Sequence, residues 1–341
     1  MKILENVLDY DYNSLYEKLK REKIEPYRAT QIFDWIYKKK VSSFSVMTNL
    51  SKKLRENLSR HLEVRFPELV TTARSKDGTV KFLWKYDDKS TVESVLLRYP
   101  GRTSACVSSQ VGCALGCEFC ATGKSGFVRN LTSGEILAQI LGMEKAENER
   151  IGNVVFMGMG EPMLNYDEVM RAIRVMVDSK ALKISQRRIS ISTAGVVEGI
   201  KRLSNEPLDV ILSISLHAPD DEKRSRIMPI NQRYPLSVLL NAVKEYQSIK
   251  KRRVTFEYIL FDGFNDSLKD AMKLVEILED INCNVNLIAY NETGSKFKRT
   301  PADKARQFEE FLKAHGLEAV IRVEKGSDID AACGQLRRRI L

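Results

Sequence analysis

From about residue 103 onward, β-rich stretches alternate with amphipathic helical stretches, and this alternation constrains the fold more than any other feature of the sequence. The predicted strands are Ser104–Ser108, Asn153–Met157, Arg188–Ser192, Asp209–Ser215, Val254–Phe261, Val285–Tyr290 and Ala319–Val323. The predicted helices are 132–148, 166–178, 196–204, 236–249, 267–280 and 303–315. Such alternation predicts an α/β fold with parallel strands and right-handed crossovers. The number of units favours a partial (βα)6 barrel over a doubly wound sheet, and both folds bind ligands at the carboxyl ends of their strands.

Two smaller segments precede the alternating region. Residues 13–64 have apolar side chains at helical spacing, with many Lys and Arg residues between them. Residues 67–99 change to a β pattern, in the stretches TVKFLWKY and TVESVLLRY. Glu93 lies in the second stretch, where the pattern alone predicts an exposed hairpin side chain. We therefore expect three parts: a basic helical accessory domain at 1–66, a small β-hairpin extension at 67–102 and the barrel at 103–341.

The formal net charge is +10 at pH 7, and the basic residues are clustered. The clusters are Lys38-Lys39-Lys40, Arg187-Arg188, Lys250-Lys251-Arg252-Arg253 and Arg337-Arg338-Arg339. Clustering favours a polyanionic partner, but composition alone leaves a solvated basic surface open. If the partner is a nucleic acid, the basic helical domain and the Lys250–Arg253 cluster are candidate phosphate contacts.

Features of membrane and secreted proteins are missing from the sequence. No apolar run approaches the roughly 20 residues that a membrane helix needs, and the first residues lack the apolar region of a secretory signal. We therefore expect a cytoplasmic protein with no membrane partner. In that setting, six cysteines indicate metal or redox chemistry more than a disulfide framework.

Three of the cysteines, Cys113, Cys117 and Cys120, form a C-x3-C-x2-C motif after the first predicted strand of the barrel. Three thiolates on one loop suit three corners of a [4Fe–4S] cluster, which usually takes four cysteines, so the fourth iron would stay open to a cofactor or substrate. The alternative is structural zinc with Cys106 or Cys333 as fourth ligand, although zinc sites usually pair two short cysteine motifs. A nucleic-acid-binding protein with a structural metal therefore remains a second class of function.

Several residues lie at the ends of the predicted strands or just beyond them, at the edge where the cysteine loop lies. They are Gly160, Glu161, Ser192, Ser215, Leu216, His217 and Asn291. Groups at the carboxyl ends of parallel strands point to one face, where ligand contacts belong. A carboxylate such as Glu161 suits an ammonium group, whereas a lone histidine is more often packed or exposed than functional.

Several motifs together resemble one known family. They are CVSSQVGCALGCEFCATG around the three cysteines, Gly158-Met159-Gly160-Glu161-Pro162, Ser190-Ile-Ser-Thr-Ala-Gly195, Ser215-Leu-His-Ala-Pro219 and Asp328-Ile-Asp-Ala-Ala-Cys-Gly-Gln-Leu336. The chain thus resembles the RlmN/Cfr family of radical S-adenosylmethionine (SAM) RNA adenine methyltransferases over residues 93–336. The cysteine motif is shared by many radical SAM enzymes, whereas the DIDAACGQL motif is specific to a much narrower group of proteins.

The resemblance implies how the cofactors bind. SAM would chelate the open iron of a [4Fe–4S] cluster on the three cysteines, and an electron from the cluster would cleave SAM to methionine and a 5′-deoxyadenosyl radical. The strand-end residues, from Gly160 to Asn291, would contact SAM. An electron donor such as flavodoxin or ferredoxin would reduce the cluster, and we expect a monomer.

The resemblance also implies roles for two further cysteines and a glutamate. One SAM would methylate Cys333, and a second would yield the radical that removes hydrogen from this methyl group, so that the resulting methylene radical adds to the base. Cys106, seven residues before Cys113 and expected on the same strand, would release the product by forming a Cys106–Cys333 disulfide. Glu93 would accept the proton from the substrate carbon. Cys283 matches no such role and is predicted to lie in the core.

The substrates implied are an adenosine of 23S rRNA, in the peptidyl transferase centre, and the tRNA adenosine 3′ of the anticodon. The two branches of the family differ in the carbon they methylate, which is C2 in the RlmN branch and C8 in the Cfr branch. Pro162 after Glu161 resembles the C2 branch.

Overall fold

A computed structural model describes residues 4–337, so Arg338 and Arg339 of the last basic cluster lie outside the described residues. The strands are β1 (Glu5–Asn6), β2 (Leu62–Glu63), β3 (Glu68–Arg74), β4 (Val80–Lys85), β5 (Thr91–Tyr99), β6 (Arg102–Cys106), β7 (Gln110–Gly112), β8 (Phe127–Asn130), β9 (Asn153–Phe156), β10 (Ile189–Thr193), β11 (Ile211–Ser215), β12 (Val254–Leu260), β13 (Cys283–Ala289) and β14 (Ala319–Ile321). The α-helices are α1 (Tyr12–Arg21), α2 (Arg28–Phe33), α3 (Lys52–Leu58), α4 (Ala121–Lys124), α5 (Ser133–Glu147), α6 (Tyr166–Val177), α7 (Val197–Ser204), α8 (Asp221–Ile227), α9 (Leu236–Lys250), α10 (Leu268–Leu278) and α11 (Ala302–Ala314).

The body of the protein is a mixed sheet with the strand order β14-β13-β12-β11-β10-β9-β6-β5-β4-β3. From β6 to β14 all neighbours pair in parallel. Each crossover moves one position in the same direction, so the strand order never reverses as it does in a doubly wound sheet. β14 and β6 are not neighbours in this order, so the barrel stays open. The predicted partial barrel is confirmed.

Helices α5, α6, α7, α9, α10 and α11 connect these strands and match the six predicted helices within a few residues. The start of α5 has the signal expected of a helix N-terminus. The Thr132 hydroxyl accepts the Glu135 N–H, while the Glu135 carboxylate accepts the Thr132 N–H. Helix α8 was not predicted. It has only seven residues, too few for the apolar periodicity that identifies a longer helix, although Asp220 caps its start.

The segment before the barrel contains three antiparallel strands, β3, β4 and β5, and not a separate hairpin. β5 also pairs with β6, so the extension continues the main sheet. The prediction that Glu93 is exposed is wrong, because only 1% of this residue is accessible. The Arg337 N–H donates to Glu93 Oε2 at 3.0 Å, which places the chain's last described residue over this part of β5.

The amino-terminal part contains α1, α2, α3 and the short parallel pair β1–β2. Its apolar side chains belong to the same buried core as those of the barrel. Asp9 Oδ1 accepts the Gly134 N–H of α5 at 2.8 Å, and Lys40 pairs with Glu144 at 3.0 Å. The basic amino-terminal part is therefore packed firmly onto α5. In the described part of the chain, no helix is both long and apolar enough to cross a bilayer.

Candidate active site

The cysteine loop begins where β7 ends. β7 pairs with β8 in a small antiparallel ribbon, and the Cys113 N–H donates to the Gly126 carbonyl at 3.0 Å. This ribbon closes the ends of the loop, and the Cys120 N–H donates to the Cys117 carbonyl at 3.1 Å within it. The expectation that Cys106 and Cys113 share a strand is wrong, because Cys106 ends β6 and a separate strand intervenes.

The three thiols of the loop face one cavity and influence one another electrostatically. Burial raises the pKa of Cys113 to about 12 and raises that of Cys117 well above its ordinary value. Within residues 4–337, no three acidic, histidine or cysteine side chains converge closely enough to hold one metal ion. In a cubane cluster each cysteine binds a different iron, so three thiols on one loop need not converge on a single ion, and cluster binding would deprotonate them.

The cavity beside the loop, here called the cysteine cavity, has about 870 Å³ of space, part of it open to solvent. The three cysteines line it together with five of the seven predicted SAM contacts, which are Gly160, Glu161, Ser192, Ser215 and His217. These residues lie at the carboxyl ends of β9, β10 and β11 or just beyond them, so the parallel strands bring them to one edge. The arrangement is large and polar enough for a nucleoside with an amino-acid tail.

Glu161 is fixed by backbone hydrogen bonds although only 3% of it is exposed. Its two carboxylate oxygens accept the N–H groups of Met163 at 3.0 Å and Ala194 at 2.8 Å. Burial raises the pKa of this carboxyl, while the Ala194 N–H opposes the shift. Gly160 before it has φ of +103°, and a Cβ there would lie 2.6 Å from Gln110 Cβ. The turn therefore requires glycine.

His217 is buried and neutral. Its Nδ1 accepts the Ile259 N–H at 3.1 Å, so the neutral ring carries its proton on Nε2. Burial, with a smaller contribution from the Arg224 cation, lowers the pKa of His217 to about 3. The ring packs edge-on against Phe119 of the cysteine loop, with 4.9 Å between centroids. At neutral pH this histidine can donate one hydrogen bond into the cavity but supplies no charge.

The other two predicted SAM contacts lie elsewhere. Leu216 is fully buried in the hydrophobic core and does not line the cavity, and its carbonyl accepts from Arg224 Nε at 3.2 Å. Asn291 lines the neighbouring cavity. Its Nδ2 donates to the Cys333 carbonyl at 3.4 Å, and its buried Oδ1 has no hydrogen-bond partner among residues 4–337. An unsatisfied buried acceptor of this kind suits a ligand donor.

The neighbouring cavity, here called the thiol cavity, has about 630 Å³ of space and contains both Cys106 and Cys333. Cys333 lines the cysteine cavity as well, so it lies where the two cavities meet. Burial raises the pKa of Cys106 to about 12, and Cys333 adds to that shift. Both sulfurs are free thiols. Cys283 lies in the core, as predicted.

The segment that carries Cys333 is held against the cysteine loop. The Ala121 N–H donates to the Gly334 carbonyl at 2.8 Å, and Thr122 Oγ1 donates to the Leu336 carbonyl at 2.5 Å. Glu93 lines neither cavity, since the end of this same segment covers it. The structure therefore brings Cys106 and Cys333 together, but not Glu93 with them.

Three further charged residues at the site were missed by the sequence analysis. Glu257 and Arg322 line the cysteine cavity, and Arg224 is completely buried beneath it. Arg224 Nη2 donates to the Ala194 carbonyl at 2.7 Å and thereby ties the end of β10 to α8. Glu257 had a signal, because it is the one charged residue within the otherwise apolar stretch VTFEYIL. Arg224 and Arg322 had none, since each lies among other charged residues.

The Lys250–Arg253 cluster lies away from both cavities. It immediately precedes β12, at the amino ends of the parallel strands. Arg252 pairs with Asp209 at 3.5 Å, and Arg253 pairs with Glu318. The position and these pairs make the cluster a poor candidate for holding RNA over the active site. Exposed basic residues on α3, including Lys52 and Lys53, remain better candidates.

Comparisons with known proteins identify the family of this chain. Residues 107–275 match the Radical SAM superfamily, and residues 5–64 match the ribosomal RNA large subunit methyltransferase N-terminal domain. A Thermotoga neapolitana protein described as a probable dual-specificity RNA methyltransferase RlmN is 50% identical over 335 residues, which cover 98% of each chain. A Fervidobacterium nodosum protein of the same description is 50% identical over 341 residues, again 98% of each chain.

A solved structure extends the agreement to three dimensions. The radical SAM methyltransferase from Sphaerobacter thermophilus is 42% identical, has a TM-score of 0.94, and covers 98% of this chain and 99% of its own. The family predicted from the sequence motifs is confirmed, and a binding protein with only a structural metal is excluded. This chain belongs to the RlmN family of radical SAM RNA methyltransferases.

Proposed function

We propose that this enzyme methylates C2 of an adenosine in the peptidyl transferase centre of 23S rRNA and of the tRNA adenosine 3′ of the anticodon. The observation that carries the proposal is the position of Cys333, where the cysteine cavity meets the thiol cavity. C2 of adenine is electron-poor and cannot displace a methyl group from SAM in a polar reaction. A sulfur atom between SAM and the base can carry the methyl group, and the carbon radical formed from that group can add to C2.

Cys113, Cys117 and Cys120 hold a [4Fe–4S] cluster, and SAM occupies the cysteine cavity beside it. When bound, the cluster supplies the electron that cleaves SAM. Glu161 keeps lone pairs free for an ammonium group after accepting its two backbone N–H groups. His217 offers its Nε2 proton, and Ser192 and Ser215 offer hydroxyl groups, to the rest of the cofactor.

Cys333 carries the methyl group, and Cys106 completes the reaction. After the methylene on Cys333 has bonded to the adenine, the Cys106 sulfur attacks Cys333 and forms the disulfide. The electron pair of the broken carbon–sulfur bond stays on the product carbon, which takes a proton to become the methyl group. Before that attack, Glu93 accepts the C2 proton, and the unpaired electron left by radical addition would return to the bound cluster, so that a closed-shell thioether remains. Because the Arg337 N–H donates to Glu93 in this structure, the segment from Cys333 to Arg337 shifts when the base enters.

The RNA is held partly by the basic amino-terminal part, which packs on α5 beside the barrel. Its exposed lysines and arginines, such as Lys52, Lys53 and Arg60, can contact phosphates without base specificity. The target base is flipped out of its stack to reach the thiol cavity. The enzyme works in the cytoplasm as a monomer and receives electrons from a small redox protein such as flavodoxin or ferredoxin.

Nucleoside analysis tests the proposal. Unmodified 23S rRNA and tRNA are incubated anaerobically with the cluster-loaded enzyme, SAM and a reductant, then digested and analysed by mass spectrometry. We expect 2-methyladenosine from both RNAs. Formation of 8-methyladenosine would assign the chain to C8 chemistry instead, and the absence of any methyladenosine despite SAM cleavage would contradict the proposal.

A further inference from the structure

Arg322 is the one charged residue among the described residues that line both cavities. It follows β14, where its N–H donates to the Leu287 carbonyl of β13 at 2.8 Å. Its Nη1 lies 3.9 Å from Cys333 Sγ, 3.5 Å from Glu257 Oε2 and 3.8 Å from Met157 Sδ. The guanidinium is thus directed at the sulfur at the junction of the cavities.

Glu257 keeps the guanidinium in this place. The carboxylate accepts from Asn286 Nδ2 at 3.0 Å with its other oxygen, so it is held from two sides. Burial raises the pKa of Glu257, while Arg322 opposes that shift. The pKa of Arg322 itself is raised, above all by Cys333 and also by Glu257. The Arg322 guanidinium therefore stays charged, and its Nη1 lies near Glu257 and Cys333 at the same time.

The two thiols of the thiol cavity differ in their surroundings. Cys333 is partly accessible and contacts the Arg322 guanidinium. Cys106 is buried, and this burial raises its pKa to about 12 although Arg322 acts in the opposite direction. A thiol must lose its proton to become a nucleophile. One cation beside one of two thiols therefore makes them chemically unequal.

We propose that Arg322 is a positioning residue that selects Cys333, and not Cys106, as the sulfur that accepts the methyl group from SAM. The inference deepens the proposed function and rests on its first step. In that step the Cys333 thiol gives its proton to water, and the resulting thiolate lies against the Arg322 cation. A sulfur lone pair forms the new S–CH3 bond as the sulfonium–CH3 bond of SAM breaks, and S-adenosylhomocysteine leaves with the bonding pair.

Thiol alkylation measures this selection independently of methyl transfer. Full-length protein is purified without cluster, which removes the group that would anchor SAM, and mass spectrometry verifies that Cys333 carries no methyl group. The cluster is then reconstituted without SAM. Alkylation by iodoacetamide at neutral pH is followed for each cysteine peptide by mass spectrometry. We expect Arg322→Gln to slow alkylation of Cys333 about tenfold, because the thiolate loses its nearby cation. Arg322→Lys should recover most of the rate.

Two controls separate charge from folding. Arg306→Gln removes an exposed arginine of α11 and should leave the Cys333 rate unchanged. Buried Cys283 should stay unreactive in every folded variant. If Arg322→Gln does not fold, Arg322→Met replaces it, because its side chain retains the apolar packing of the arginine stem.

The methylated fraction of Cys333 after addition of SAM gives the second readout. It should fall in the neutral variants, and any methyl group found on Cys106 instead would support the selection directly. A folded neutral variant with a wild-type Cys333 alkylation rate would overturn the inference, as would equal slowing by Arg322→Lys and Arg322→Gln. If RNA methylation at C2 fails while Cys333 reactivity still depends on Arg322, the proposed function falls and this inference stands.

Discussion

Replacing Cys106 with alanine is expected to trap the enzyme as a covalent protein–RNA species. Cys106 acts only after the carbon–carbon bond to adenine exists, so its loss leaves the thioether between Cys333 and the base unresolved. The species should survive boiling and reductant on a denaturing gel, since a thioether is not reduced by thiols. Nearly all enzyme that turns over once should be trapped.

Two other cysteine variants serve as controls for the Cys106→Ala result. Cys333→Ala should form no adduct, because the radical then has no methyl group to act on. Cys283→Ala removes a buried thiol whose pKa is also raised to about 12 by burial, and should turn over normally. If Cys106 and Cys333 were merely structural, both variants would lose roughly 1–3 kcal/mol of stability and neither would crosslink. Repeated turnover by folded Cys106→Ala enzyme would refute its resolving role.

Alanine at Cys113, Cys117 or Cys120 is expected to abolish cluster binding and SAM cleavage in each single variant. The loop provides three thiolates, one for each of three irons, and Cys333, the other cysteine that lines this cavity, is needed to carry the methyl group. Iron and sulfide content, the visible charge-transfer absorption and the release of 5′-deoxyadenosine without RNA measure the effect.

Cys283→Ala again serves as the matched control and should retain all three signals. Circular dichroism checks that the variants remain folded, which we expect because the loop is closed by the β7–β8 ribbon independently of the cluster. Normal iron content together with SAM cleavage in any of the three loop variants would refute the ligand assignment.

Local sequence signals were sufficient for the barrel and for much of one cavity. The strands of the barrel are apolar and recur at regular intervals along the sequence. The helices between them are long enough to show the roughly 3.6-residue periodicity of their apolar side chains. Once parallel strands are predicted, Glu161, Ser192 and His217 must meet at one edge, and the structure places them there. The cysteine spacing on a loop is likewise local and needs no tertiary information.

Contacts between distant parts of the chain could not be predicted in this way. Glu93 looks like an exposed hairpin residue until Arg337, 244 positions later, covers it. Arg322 becomes significant only because the segment after β14 folds back and places Cys333 3.9 Å from it. Leu216 lies between two cavity-lining residues just after β11, but its side chain packs into the core.

Deuterium labelling of the transferred methyl group tests the route through Cys333 most directly. The enzyme is run for several turnovers with SAM that carries a CD3 group, and the methyladenosine and 5′-deoxyadenosine are analysed by mass spectrometry. Transfer through a methylene on Cys333 predicts that products after the first turnover carry two deuterium atoms and that 5′-deoxyadenosine gains one. A product with an intact CD3 group, and no deuterium in 5′-deoxyadenosine, would contradict the route.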